Sequence, residues 1–204
     1  MSESIKNKVF LKIRRAKRGT LFFAEDFLSI GSTKTVNKTL ERLTAEGELV
    51  RVTRGIYVRP IKDSIVGTIM PTTEEIAFAI AKRDKTRIVP IGSKALNLLG
   101  LSTQVPLNVV YLTDGSARKI RIGNRKITFK KTSPKNLAGV GEISQLVIQA
   151  LRSIGEKNLN DELLHKIQLL LSKEKPNRLE HDIRLAPAWI REIMKPVLRK
   201  SVHV

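Results

Sequence analysis

Between Ser32 and Pro60 the hydrophobic period changes once, from that of a helix to that of a strand, and no other feature constrains the fold as strongly. Val36, Leu40 and Leu43 stand at i, i+4 and i+7, one apolar stripe of a helix. Ser32 precedes the stripe as a natural N-cap, because its hydroxyl can accept an orphan amide of the first turn. Gly31 breaks the short helix expected over Ala24 to Ile30, which follows the apolar Leu21-Phe22-Phe23. Past Gly47, Leu49-Val50-Arg51-Val52-Thr53 and Ile56-Tyr57-Val58-Arg59 read as two strands turned at Arg54-Gly55 and closed by Pro60. Ile5, Val9 and Ile13 mark a leading helix that runs into the basic cluster Arg14-Arg15-Ala16-Lys17-Arg18 and stops at Gly19.

Helix, breaker, capped second helix and basic hairpin, in that order, predict a winged helix-turn-helix domain over residues 1–62. In such domains the second helix of the pair enters the major groove of DNA by its N-terminal end. Here that end offers Thr33, Lys34, Thr35, Asn37 and Lys38. Asn can pair with adenine through two hydrogen bonds, Lys can reach guanine acceptors, and Thr can meet either a base or a phosphate. Arg54 sits where a wing tip would meet a phosphate or the neighbouring minor groove. Exposed cations also form plain solvated helix faces, and the same arrangement occurs in winged domains that bind protein. The cluster at Arg14–Arg18 has a structural reading too, since cations favour a helix C-terminus.

The charge balance points to polyanions. Among 204 residues, 38 Lys and Arg stand against 19 Asp and Glu, a formal charge of +19, which concentrates polyanions near the protein. Residues 1–62 hold 14 basic against 6 acidic side chains, residues 63–136 hold 13 against 5, and residues 137–204 hold 11 against 8. The excess therefore extends into the middle segment, which either touches nucleic acid as well or is a basic solvated surface. The absence of cysteine excludes disulfides and thiolate metal sites. No N-terminal apolar leader and no run of membrane-spanning length is present, so the expectation is a cytoplasmic chain with no membrane partner.

The stretch from Ile61 to Pro71 loses periodicity and contains Gly67 and Pro71, which suggests a linker or domain boundary. Beyond it, residues 63–204 predict an α+β domain with a helical C-terminal part. Thr72-Thr73-Glu74-Glu75 opens a helix through Lys82, a strand follows at Arg87–Ile91, and a helix spans Ser93–Leu99 before Gly100. A strand at Asn108–Leu112 comes next, then a hairpin of Lys119–Ile122 and Lys126–Phe129 turned at Gly123-Asn124. Apolar 3-4 repeats through Ile143–Ile154, Leu163–Leu171 and Trp189–Val197 predict the closing helices.

Catalysis would require convergent acids, bases or ligands. His165, His181 and His203 lack ligand spacing, with His203 in a C-terminal tail. Asp114 with Lys119 is the one nuclease-like pairing, yet Asp114-Gly115 reads more simply as a turn. No phosphate-cradling glycine loop and no nucleophile elbow occurs. The chain is thus expected to be no enzyme and to need neither cofactor nor metal.

The strings "RGTLFFAEDF", "VNKTLERLTAEGELVRVTRGIYVRP", "GSKALNLLGLSTQVPLNVVYLTDG" and "RKIRIGNRKITFKK" together resemble the AbiEi-like antitoxin family of prokaryotic type IV toxin–antitoxin systems. The third string carries most of the resemblance. It implies an N-terminal winged domain that represses its own operon by binding double-stranded operator DNA. It further implies a C-terminal domain that counteracts a nucleotidyltransferase-like toxin without a stable complex. By that resemblance the DNA role extends along the helix at Ser32–Glu46, including Arg42, and along the wing from Arg51 through Arg54 to Arg59. The role of Ser102–Pro106 stays open, as a recognition loop or a packed connection. The competing readings are a DNA-targeted nuclease and an RNA- or ribosome-associated basic protein.

Overall fold

The structure, a computed structural model, describes residues 4–202. It is mixed α+β, with eight α-helices and three small sheets among the described residues. Two compact units meet between Ile80 and Ala81. No described helix is long and apolar enough to cross a membrane.

In the first unit, α1 (Ile5–Arg15) begins at Ser4, whose side chain accepts from the Asn7 amide. Strand β1 (Leu21–Phe23) leads into a single 3-10 turn at Ala24–Phe27 rather than a helix to Ile30. The Asp26 carboxylate accepts from the Phe23 amide at 2.7 Å and fixes that tight turn. Helix α2 (Thr33–Ala45) follows, then β2 (Val50–Thr53) and β3 (Ile56–Val58). The sheet order is β1-β3-β2, antiparallel throughout. Val9 and Ile13 of α1 meet Phe22, Phe27, Val36, Leu40, Leu43, Leu49 and Tyr57 in one core.

The aperiodic stretch after Pro60 is a hairpin, β4 (Ile61–Asp63) with β5 (Gly67–Ile69), and not a bare linker. Asp63 turns it by accepting from the Ile65 and Val66 amides at 2.8 and 3.0 Å. Helix α3 (Thr73–Asp84) spans the division between the units. It opens with a reciprocal cap, Glu75 amide to the Thr72 hydroxyl at 3.1 Å and Thr72 amide to the Glu75 carboxylate at 2.7 Å.

The second unit carries β6 (Ile88–Ile91), α4 (Ser93–Leu98), β7 (Asn108–Thr113), β8 (Arg118–Ile122) and β9 (Arg125–Lys131). The sheet order is β6-β7-β9-β8, so β9 inserts beside β7 in parallel while β8 forms the outer edge. Gly123 has a φ of 57° at the first turn position of the β8–β9 hairpin, where an L side chain would be strained. Helices α5 (Glu142–Ile154), α6 (Asp161–Leu171), α7 (Pro176–Leu185) and α8 (Ala188–Val202) then pack on α4 around Val147, Leu151, Ile167, Leu171, Leu179, Ile190 and Met194. His203 lies outside the described residues.

Candidate nucleic-acid interface

Helix α2 is oriented by its buried stripe. Val36, Leu40 and Leu43 are fully buried, so Thr33, Lys34, Thr35, Asn37, Lys38, Glu41 and Arg42 all face outward and are exposed. Ser32 Oγ accepts from the Thr35 amide at 3.4 Å and lies 3.0 Å from Thr35 Oγ1, which ties Thr35 into the cap. At roughly 100° per residue, Thr33, Asn37 and Glu41 form one flank of the outward face. Lys34 and Lys38 form its crest, and Thr35 and Arg42 its other flank. No acidic residue lies in the first turn, so the positive end of the helix dipole is left for an external anion.

The hairpin is anchored beside this flank. β2 and β3 pair Val50 with Val58 and Arg51 with Tyr57, and the register then shifts before Thr53 meets Ile56. Such a bulge bends a strand and redirects its side chains. Gly55, at φ 72°, completes the turn, and its carbonyl accepts from the Ala24 amide at 3.0 Å. The result is a concavity of about 430 Å³ whose walls include Thr33, Asn37 and Glu41 of α2 and Arg51, Arg54 and Tyr57 of the hairpin.

Four of the nine residues expected to meet DNA are brought together there: Thr33, Asn37, Arg51 and Arg54. Lys34, Thr35, Lys38 and Arg42 lie outside that cleft on the exposed face of α2. Arg59 stands apart. Its guanidinium donates to the carbonyls of Arg14, at 2.9 Å, and Ala16, so it caps the end of α1. Glu25 and Glu41, absent from the expected set, also line the cleft. The Thr33, Asn37, Glu41 spacing of four was the available signal for Glu41, because it places all three on one flank. A carboxylate there can accept from the exocyclic amine of cytosine.

Some cations of the α1 region are engaged: Lys6 with Glu46 at 2.7 Å, Arg14 with Glu48 at 3.3 Å, and, just beyond the helix, Arg18 with the Pro60 carbonyl at 3.2 Å, whereas Lys8 and Arg15 have no carboxylate partner among the described residues. Lys34, Lys38, Arg42, Arg51 and Arg54 have no carboxylate partner among the described residues. Ion pairing takes up Lys6 and Arg14 and leaves the other cations of α1, like those of α2 and the hairpin, without a carboxylate among the described residues.

The second unit does not assemble the nuclease pairing. Asp114 Oδ1 accepts from the Arg87 amide at 2.9 Å, closing the ends of β6 and β7. Lys119 lies on β8, separated from β7 by β9. The buried carboxylates Asp182 and Glu174 accept from backbone amides at the start of α5. No group of three or more His, Asp or Glu among the described residues could hold a metal ion.

The chain belongs to the family described as "Family of unknown function (DUF6088)". The match covers residues 8–179 and therefore spans both compact units, from α1 into α7. No curated protein matches the chain.

Proposed function

We propose that the first unit is a winged helix-turn-helix that binds double-stranded operator DNA, with α2 as the recognition helix and β2–β3 as the wing. The observation that carries this reading is the convergence of Thr33 and Asn37 of α2 with Arg51 and Arg54 of the hairpin on one cleft, with Lys34, Lys38 and Arg42 exposed elsewhere on α2 and none of these five cations holding a carboxylate partner among the described residues. Exposed cations without a carboxylate partner are available to an external polyanion. The element order α1, β1, 3-10 turn, α2, β2, β3 and the strand order β1-β3-β2 support it.

With the sequence resemblance to AbiEi-like antitoxins, this makes the protein a cytoplasmic, non-enzymatic antitoxin and autorepressor of a type IV toxin–antitoxin operon. Its functional partner is a nucleotidyltransferase-like toxin, counteracted without a stable complex. The test is binding of the purified chain to duplexes from its own promoter region against scrambled duplexes, with protection from the adjacent toxin assayed in cells. Equal affinity for all duplexes would reject operator recognition, and loss of toxicity protection must follow deletion of residues 81–204.

A further inference from the structure

The second unit presents a group of cations on one sheet face that the operator reading does not use. Along β8 and β9 the register sets Lys119 opposite Thr128 and Arg121 opposite Lys126. Alternation then places Lys119, Arg121, Lys126 and Lys130 on one face of the hairpin. The opposite face turns Ile127 and Phe129 into the core, both buried. Lys119, Arg121 and Lys130 are exposed, and Lys126 is half-buried.

None of these four has a carboxylate partner among the described residues, whereas Arg118 on the other face is paired with Asp84. Like charges directly opposite across a strand pair destabilise a sheet, and Arg121 faces Lys126 in that way. Folding of the isolated chain gains nothing from this pairing, so an external anion is its natural compensation. Lys119 and Arg121 are rooted about 7 Å apart along β8, Arg121 and Lys126 about 5 Å apart across the pair, and Lys126 and Lys130 about 13 Å apart along β9 with Thr128 between them. Three of the four are exposed and Lys126 is half-buried. Cations spread over such a length suit a chain of phosphates better than a single small anion. β8 is also the sheet edge, so no further strand covers its outer side.

The geometry points to a second phosphate-binding surface, formed by Lys119, Arg121, Lys126 and Lys130, that holds the backbone of duplex DNA without reading its sequence. It rests on the DNA-binding reading of the first unit for its choice of DNA as the polyanion.

The test uses the full chain and fluorescence anisotropy on a labelled mixed-sequence duplex, with affinity measured across a salt series. Replacing all four residues with Gln should lower the slope of log K against log salt by about 0.9 for each phosphate that is no longer neutralised, and should leave the ratio of operator to mixed-sequence affinity unchanged. Arg121→Gln alone should weaken binding while raising Tm at low salt, because it relieves the repulsion from Lys126. An unchanged slope in the fourfold variant, or in Lys119→Gln/Lys130→Gln should the fourfold variant fail to fold, would overturn the proposal. So would a slope change confined to duplex RNA. A parallel Lys38→Ala/Arg54→Ala variant separates the two readings. A slope that falls only there leaves operator binding standing and removes the second surface, and a slope that falls only with the β8–β9 variants does the reverse.

Discussion

The carboxylate of Asp182 on α7 accepts from the hydroxyl of Ser144 on α5 at 2.6 Å, and both side chains are fully buried. Asp182 also accepts from the Val140 and Gly141 amides at 2.8 and 3.0 Å. Glu174 completes the arrangement by accepting from the Ile143 and Ser144 amides at 2.8 and 3.2 Å. The first turn of α5, whose N-cap Gly141 has no side chain to offer, is therefore capped from a distance of thirty residues or more. Replacing Asp182 with Ala strands these buried donors and should cost about 3–5 kcal/mol. Urea unfolding followed by the sole tryptophan, Trp189, reads this directly, and a loss below about 1 kcal/mol would show that the donors find other partners.

Gly141 is held to glycine by the same arrangement. A Cβ there would lie 2.0 Å from Ser144 Oγ and 2.6 Å from a Glu174 carboxylate oxygen. Its φ of −83° is ordinary, so steric overlap and not backbone strain is the obstacle. Gly141→Ala should destabilise by about 1–3 kcal/mol, as overpacking does, and Gly141→Ala/Ser144→Ala should recover part of that loss. Equal stability of Gly141→Ala and the parent would mean that the loop yields freely.

Local signals were legible in the sequence and distant ones were not. Ser32 with Val36, Leu40 and Leu43 specifies α2 because a helix repeats over neighbouring residues, and Arg54-Gly55 between two apolar runs specifies a turn. The hairpin at Ile61–Ile69 escaped that reading because all six strand residues are exposed, leaving no buried face to impose alternation. Arg59 looked like a wing cation, since nothing nearby in sequence shows that its partners are the carbonyls of Arg14 and Ala16. The cleft itself depends on the bulge between Arg51 and Thr53, a pairing irregularity that composition does not encode.

Arg59 accordingly yields a prediction opposite to that for Arg54. Arg59→Ala removes charge-assisted hydrogen bonds to a helix end and should destabilise the first unit by about 1–3 kcal/mol. The salt dependence of DNA binding should stay unchanged. A fall in salt slope equal to that of Arg54→Ala would make Arg59 a phosphate contact after all.

Acid stability should carry a mark of Asp84. Burial alone would raise its pKa, but hydrogen bonds from Arg83, at 2.7 Å, and Arg118 outweigh burial and leave it lowered. A carboxyl depressed in the folded state contributes stability that is complete above its unfolded value, about pH 4, and is lost as the pH falls through the folded value. Asp84→Asn should thus be less stable than the parent at neutral pH, with the difference shrinking as the pH falls below about 4. A constant difference between neutral and strongly acid solution would show that the ion pairs contribute nothing that titrates.

On the cleft face of α2, reading and holding should separate. Asn37 lines the cleft on the same flank as Thr33, where its amide can offer a donor and an acceptor together. A bidentate contact to adenine discriminates against the wrong base by about 1–3 kcal/mol, so Asn37→Ala should reduce the ratio of operator to scrambled affinity by roughly 5- to 150-fold. Arg54, exposed at the hairpin turn and without a carboxylate partner, should act on any duplex. Arg54→Ala should weaken operator and scrambled binding alike and flatten the salt slope by about 0.9. Competition anisotropy on both duplexes at several salt concentrations measures the two quantities at once. If Asn37→Ala leaves the ratio intact while Arg54→Ala changes it, the roles of helix and hairpin are exchanged, and sequence is read at the turn.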